Sequence, residues 1–363
     1  MTSDRVAVLG TGLVGTSIAM AAGRVGCDVR GWDADPATAG RSAAHAGLRA
    51  TGTLEECVAD AEVVVVSTPI PSIGPLAARA LVAAAGAVVT DVASIKSRVL
   101  EQVEAAADPA ALPRFVGGHP MGGSERSGPE HASASIVDGI VWVISPSAAS
   151  DPRAVERIEG WIRRLGALPV RIEAARHDRL VAVVSHLPQV ASTSLMSLAA
   201  AEEANEPEML LLAAGGFRDL TRLAASNPAL WSEILLANRE AIADAIDLYV
   251  DRLRSLRDMV AGERAEEVRD AFAAAKAARL TLAAKPQVRA GVVVLQIGVP
   301  DRPGALAQLT GALADASVNI EDLQIVHSPE GGRGAVYLTV STTAEAEALR
   351  VLGDLGLDPT RLA

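Results

Sequence analysis

The stretch Val6-Ala7-Val8-Leu9-Gly10-Thr11-Gly12-Leu13-Val14-Gly15 constrains the fold of this chain more than any other. An apolar, β-branched run ends in G-x-G-x-x-G, and a helix-forming pattern follows directly. A strand that feeds a glycine turn and then a helix opens a doubly wound, nucleotide-binding sheet. Gly10 permits the tight turn, Gly12 lets a pyrophosphate approach the backbone, and Gly15 lets helix pack closely on strand. The N–H groups and positive dipole end of the helix, which begins at Leu13 and Val14, suit the anion. Asp33 closes the second strand, 18 residues beyond Gly15. A carboxylate there accepts from ribose hydroxyls and repels a 2′-phosphate, and no arginine follows it at once. The expected cofactor is therefore NAD rather than NADP, with Ser67, Thr68 and Pro69 completing its site after the strand Val63–Val66.

The same pattern continues over residues 1–172. Apolar runs at Arg5–Leu9, Asp28–Trp32, Val63–Val66 and residues 87–90, 140–144 and 168–172 alternate with helix-like stretches. Runs of this kind predict a Rossmann-type parallel sheet covered on both faces. Half of the 363 residues are hydrophobic and 2% are aromatic, so the core is built from Ala, Val, Leu and Ile. The net charge of −11 repels phosphate backbones, and no basic run suggests nucleic-acid binding. Cys27 and Cys57 are too few for a disulfide framework and lie in no metal-ligand spacing; they predict a reduced, cytoplasmic setting with no metal centre. The uncharged stretches 63–78 and 180–201 hold prolines, a histidine and hydroxyls, which favours burial in protein over a membrane span.

From residue 173 to 285 the strand signals vanish. Leu235, Asn238, Ile242, Ile246, Tyr249, Leu253, Leu256 and Val260 recur at steps of three and four, predicting one long amphipathic helix. The uncharged stretch 180–201 predicts a helix buried on all sides. A small helical domain cannot enclose such a helix alone, so a homodimer through this region is expected. Lys285-Pro286-Gln287 reads as a linker. Residues 289–363 then form a small α+β unit: a strand near residues 292–299, a helix at 305–316, strands at 321–327 and 334–341, a helix at 344–355 and a short last strand.

One segment concentrates chemistry: Gly117-Gly118-His119-Pro120-Met121-Gly122-Gly123-Ser124-Glu125. Its glycines let backbone approach a ligand, and an imidazole takes a proton near neutral pH. With the opening fingerprint stand Asp91-Val92-Ala93-Ser94-Ile95-Lys96, His177-Asp178, His186-Leu187-Pro188 and Gly215-Gly216-Phe217-Arg218-Asp219-Leu220-Thr221-Arg222. In this order they resemble the prephenate/arogenate dehydrogenase family of tyrosine biosynthesis, over roughly residues 5 to 280. The C-terminal unit, with Asp301-Arg302-Pro303-Gly304 and Val318-Asn319-Ile320, resembles an ACT regulatory domain.

The resemblance implies a reaction and roles. Prephenate loses a hydride from C4 to NAD and the proton of its 4-hydroxyl, and carbon dioxide departs as the ring aromatises to 4-hydroxyphenylpyruvate. By resemblance His119 accepts or polarises that proton, and Ser94 orients the histidine and touches the nicotinamide side. Arg222 grips a substrate carboxylate, with Gly215 leaving room for the ligand. Ser124, Glu125 and His177 line the substrate pocket, Glu125 pairing with a cation such as Arg218. His186, in an apolar stretch, is expected to be structural. Many members carry a second histidine where this chain has Gln189, which leaves the choice between prephenate and the amino acid arogenate open. A 3-hydroxy-acid dehydrogenase would call for a lysine in the helical part, and none occurs between residues 173 and 275. A non-catalytic NAD and amino-acid sensor would not need Ser94, His119 and Arg222 together. In the ACT-like unit Asp301, Arg302, Pro303, Gly304 and Asn319 are the expected contacts of an effector, tyrosine by resemblance.

Overall fold

A computed structural model describes residues 4–122, 126–203, 205–284, 292–300, 302–326 and 333–362. The chain divides into two compact units, residues 1–255 and 256–363. In the first it runs β1 (Arg5–Leu9), α1 (Leu13–Arg24), β2 (Asp28–Trp32), α2 (Pro36–Ala46), β3 (Arg49–Ala50), α3 (Leu54–Val58), β4 (Val63–Val66), α4 (Ile70–Ala83) and β5 (Val88–Asp91). Then come α5 (Ser97–Ala106), β6 (Phe115–Pro120), β7 (Val141–Ser145), α6 (Pro152–Arg164) and β8 (Leu168–Arg171).

The local causes are ordinary ones. The four valines of β4 are all buried, as a strand covered on both faces requires. Asp35 accepts from the N–H groups of Ala37 and Thr38 to start α2, Pro36 takes the first helical position, and Gly47, left-handed at φ 70°, ends it.

The sheet has the order β3-β2-β1-β4-β5-β6-β7-β8. The chain travels outward to β3, then returns to place β4 beside β1. At that reversal the crevice beyond the strand ends is the usual ligand site of a doubly wound sheet. The sequence predicts a wholly parallel sheet, and two features differ. β7 runs antiparallel to β6, with β8 parallel to β7. Residues 121–140 supply only short 3-10 turns among their described positions, and an antiparallel neighbour needs no crossover helix.

The other difference is β6 itself, whose glycines the sequence suggests let backbone approach a ligand. A Cβ on Gly117 would lie 2.8 Å from the Ser145 carbonyl oxygen. One on Gly118 would lie 2.7 Å from both the Asp91 carbonyl oxygen and Thr90 Oγ1. These two glycines admit neighbouring strands, not a ligand.

The helical part comprises α7 (Ala174–Val181), a π-helical turn at Ala182–His186, α8 (Leu187–Glu202), α9 (Gly215–Thr221), α10 (Pro228–Ala237), α11 (Arg239–Ala261) and α12 (Ala265–Ala284). The single long helix expected around residues 235–260 is broken at Asn238. That residue is buried and its amide donates to the Asp178 carbonyl oxygen at 2.9 Å, which fixes the break. The stretch 180–201 is not enclosed by its own chain: Val184 is 67% and Leu198 60% exposed, and Leu180 and Val183 are about half-exposed. No helix among the described residues is long and apolar enough to cross a membrane.

In the second unit β9 (Val292–Pro300), α13 (Ala305–Asp315), β10 (Asp322–Val326), β11 (Arg333–Ser341), α14 (Glu345–Asp354) and β12 (Thr360–Leu362) form an antiparallel sheet of order β10-β11-β9-β12. Leu295, Ile297 and Leu338 of the strands pack with Leu309, Leu313 and Leu352 of the helices.

Candidate active site

A cavity of about 560 Å³ opens beyond the ends of β1 and β4, within the usual size of a small-molecule site. Gly12, Leu13 and Val14 line one side, and Ser67, Thr68 and Pro69 the next. Ser94 follows β5, His119 ends β6, and Leu230, Glu233 and Ile234 of α10 close the space. The sheet therefore gathers most of the predicted cofactor residues with both predicted catalytic ones.

The cradle fits a dinucleotide. Gly10 adopts φ +90°, a turn that favours glycine. A Cβ on Gly12 would meet nothing within 4 Å, so the backbone there is open to a ligand, whereas one on Gly15 would lie 2.0 Å from the Gly10 carbonyl oxygen. No side chain caps the start of α1, and the Thr68 hydroxyl is buried without a partner among the described residues. Asp33 stands off the cavity wall. Its Oδ2 accepts from Thr11 N–H at 2.7 Å and from Thr11 Oγ1 at 3.3 Å, and its Oδ1 from Asp35 N–H at 3.0 Å. A carboxylate offers about four acceptor positions, so Asp33 spends two on the glycine turn and one on Asp35, and keeps about one for a ribose.

His119 is 9% exposed at the cavity wall. Its Nδ1 lies 2.9 Å from His177 Nε2, and His177 Nδ1 lies 2.8 Å from Asp178 Oδ1. Asp178 also accepts the N–H groups of Lys96 at 2.7 Å and Ser97 at 2.8 Å, so it fixes the start of α5 as well. Beneath β6, Lys96 Nζ is fully buried; it pairs with Asp91 and donates to the Gly118 carbonyl oxygen at 2.6 Å. Asp91 Oδ1 in turn accepts from Gly118 N–H at 3.0 Å. The strand that carries the imidazole is clamped from both sides.

Electrostatics follow from this enclosure. Burial, then the neighbouring His177, Lys96 and His186, push His119 well below the ordinary histidine range, against the pull of Asp178. Burial disfavours charge on Asp178 too, yet the hydrogen bonds from His177, Ser97 and Lys96 outweigh it and hold the carboxyl low. Burial also lowers Lys96, opposed by Asp91. His186 is pushed down to about 4 by burial; it packs edge-on to Trp231 and meets Asn238 at 3.2 Å, as a structural histidine would.

Several expected roles fall differently. Ser94 lines the cavity with His119 but makes no hydrogen bond to it among the described residues; His177 holds the imidazole instead. His177 is 1% exposed and stands behind His119 rather than in the pocket wall. Glu173 caps α7, accepting from Ala175 and Arg176. Gln189 is buried, donates to the Leu223 carbonyl oxygen at 2.8 Å and accepts from Ser226 Oγ at 3.3 Å. It thus ties α8 to the partly exposed turn Arg222–Ala225. Arg222 and Gly215 lie outside the lining of the cavity. Ser124, Glu125 and Asp301 fall outside the described residues.

In the second unit Arg302 borders a cavity of about 60 Å³, room for roughly two waters. Gly304 starts α13 at φ +86°, directly after Pro303, and Asn319 donates to Glu321 Oε1 at 2.8 Å. Sequence reading assigned no role to Asp178, Lys96 or Glu233, although the first two stood inside the recognised motifs. Among the described residues no group of His, Cys, Asp and Glu could hold a metal ion.

Comparison with known proteins agrees with this geometry. Residues 18–170 match the prephenate dehydrogenase nucleotide-binding domain, residues 173–274 the prephenate dehydrogenase dimerization domain, and residues 293–356 the ACT domain. A prephenate dehydrogenase of Bacillus subtilis is 30% identical over 352 residues, covering 93% of this chain and 92% of that protein. A cyclohexadienyl dehydrogenase of Zymomonas mobilis is 28% identical over 78% of this chain and 98% of its own. The crystal structure of prephenate dehydrogenase from A. aeolicus, in complex with hydroxyphenyl propionate and NAD+, superposes with a TM-score of 0.72 at 25% identity, over 78% of this chain and 99% of that one. Synechocystis arogenate dehydrogenase gives a TM-score of 0.66 at 26% identity, over 76% and 98%. The nucleotide-binding, helical and C-terminal segments each match a domain model, and the chain belongs to the prephenate dehydrogenase family of NAD-dependent oxidoreductases.

Proposed function

We propose that the protein oxidises and decarboxylates prephenate to 4-hydroxyphenylpyruvate. The observation that carries this reading is His119 at the wall of the nucleotide cavity, its Nδ1 engaged by His177 and its other nitrogen left for a substrate hydroxyl. When bound, NAD supplies the hydride acceptor; Gly12, Leu13, Val14 and the segment Ser67–Thr68–Pro69 would hold it, with Asp33 selecting it over NADP. His119 takes the proton of the 4-hydroxyl. General-base assistance of this kind contributes about 10²–10⁴-fold, and aromatisation drives the loss of carbon dioxide. Ser94, in the same wall, faces the reacting end of the cofactor. Arg222 has no ion pair among the described residues, and its guanidinium suits a substrate carboxylate. Ser124 and Glu125 complete the substrate side.

Three segments divide this work: residues 1–172 bind the dinucleotide, residues 173–285 join two copies into a homodimer, and residues 289–363 sense an effector. The apolar residues left uncovered on the helical segment support the homodimer. Tyrosine is the effector that best suits an ACT domain in this pathway, although the 60 Å³ cavity by Arg302 would have to open to admit it. The unpaired Cys27 and Cys57 suit a cytoplasmic enzyme.

Arogenate is the second reading. Gln189 stands where many members have a second histidine, and its amide is spent on the chain itself. Following NADH absorbance with purified protein, NAD and either substrate decides the matter. Turnover confined to arogenate overturns the prephenate assignment, and turnover of neither overturns both.

A further inference from the structure

His119 by itself is placed badly for a base. It is buried, with the Lys96 ammonium on the α5 side, His186 on the π-helical turn and His177 on α7 near its ring. The negative groups in this buried cluster are Asp178 on α7 and Asp91 on β5, Asp91 already paired with Lys96, while Glu233 of α10 and Arg126 line the cavity before His119. A proton added to His119 therefore needs somewhere better to leave its charge.

The hydrogen bonds supply that place. An ionised carboxylate only accepts, so His177 Nδ1 must donate to Asp178. His177 Nε2 is then an acceptor, and the His119 Nδ1 that faces it at 2.9 Å must carry a hydrogen. The lone pair of His119 is left on Nε2. Three residues on two elements thus fix one tautomer, the one that presents a basic nitrogen to the cavity.

We infer that His177 is the second half of the base: the charge of the abstracted proton comes to rest on His177, beside Asp178. This rests on His119 being the base of the proposed reaction. The substrate O–H bond breaks and an N–H bond forms at His119 Nε2. The hydrogen on His119 Nδ1 crosses to His177 Nε2, leaving His119 neutral in its other tautomer and His177 an imidazolium. Its positive charge lies against the Asp178 carboxylate, which stays ionised. After product leaves, His119 Nε2 gives its proton to water, and His177 returns one to His119 Nδ1. Both rings regain their first tautomers without turning. His177 is a positioning and charge-holding residue; it does not touch substrate.

Two measurements test this. Two-bond ¹⁵N–¹H spectra of the wild-type protein, taken near neutral pH without substrate, should show both His119 and His177 protonated at Nδ1. Nε2–H on His119 overturns the inference whatever the enzyme's substrate proves to be. In His177→Gln the amide oxygen still accepts from His119 but cannot become a cation. The rate should fall about 10²-fold, toward the low end of what a general base contributes, and the acid limb of kcat/KM should move to lower pH. Asp178→Asn, which keeps one acceptor oxygen and removes the negative charge beside His177, should move the limb the same way. If His177 merely fills space, its loss removes a like-charged neighbour, and the limb moves to higher pH or stays. Either of those results overturns the inference.

Discussion

Two groups of polar side chains in residues 1–255 are held in opposite ways. Around His119 every partner is buried and supplied by the chain itself: His177, Asp178, Lys96 and Asp91 interlock through hydrogen bonds of 2.6 to 3.0 Å and the Lys96–Asp91 pair. Around Arg222 the turn is partly exposed, with Arg222 itself exposed, and it is held by the buried amide of Gln189. The difference suits the chemistry proposed for each group. Proton transfer depends on a fixed donor and acceptor in a dry place, where electrostatic interactions are strong. Capture of a carboxylate from water depends on a charge that stays hydrated until its ligand arrives.

Substitutions sharpen the contrast. His119→Asn should lower turnover about 10²–10⁴-fold while NAD binding, followed by calorimetric titration, and the melting temperature stay near wild type. Near-normal turnover would mean that the enclosed group is a structural network only. The enclosure should also register in acid. His186 is held at about 4 in the fold against an ordinary 6.5, so between those values the unfolded chain binds the extra proton. Its contribution is fully present above about pH 6.5 and is lost as pH falls toward 4, up to about 3 kcal/mol, with His119 acting in the same direction. Urea unfolding at pH 7 and pH 4.5 measures it, and His186→Asn should flatten the slope. No change in stability over that range would show that these imidazoles are hydrated.

At the exposed group the expected effects are smaller. Arg222→Ala should raise KM about tenfold to a hundredfold, since a charge-assisted hydrogen bond contributes about 1.5–3 kcal/mol. A fallen melting temperature with KM unchanged would make the arginine structural. Smallest is Asp33→Asn, which should narrow the preference for NAD over NADP about fivefold, the effect of one charge pair at about 4 Å in water. A larger loss, of both cofactors together, would mean that bracing Thr11 is the main duty of Asp33.

The parts legible in the sequence were those whose causes are local. Gly10, Gly12 and Gly15 answer to a turn, a ligand and a packed helix within six residues, so the β1–α1 crossover could be read directly. The pattern of apolar runs gave the other strands to within a residue, apart from β3 and β6. β3 pairs over two residues only, too short for any periodicity. β6 was hidden because Gly117 and Gly118 answer to Asp91 and Ser145, which lie some 27 residues away on either side and come close only in the folded sheet. The same holds for His177. Its neighbour Asp178 serves the start of α5 and orients a ring whose partner is 58 residues distant, and neither contact is visible in the local sequence. Arg222 and Gln189 carried family motifs, but nothing in their spacing told that one would be exposed and the other spent on the backbone of the turn.

The tight fit of β6 between its neighbours has an evolutionary side. A side chain at residue 118 would force apart strands that also hold Lys96 and Asp91, and with them His119. Misplacement of a catalytic group by about 1 Å can cost about 10²-fold, so the position of His119 is tied to the geometry of the sheet. Beyond β6, Gly122, Arg126, Ser127 and Gly128 line the cavity. Diversification of substrate can therefore proceed at Arg126 and Ser127 while the proposed proton chemistry is inherited unchanged, and a library aimed at new substrates belongs at those positions rather than in the strand before them.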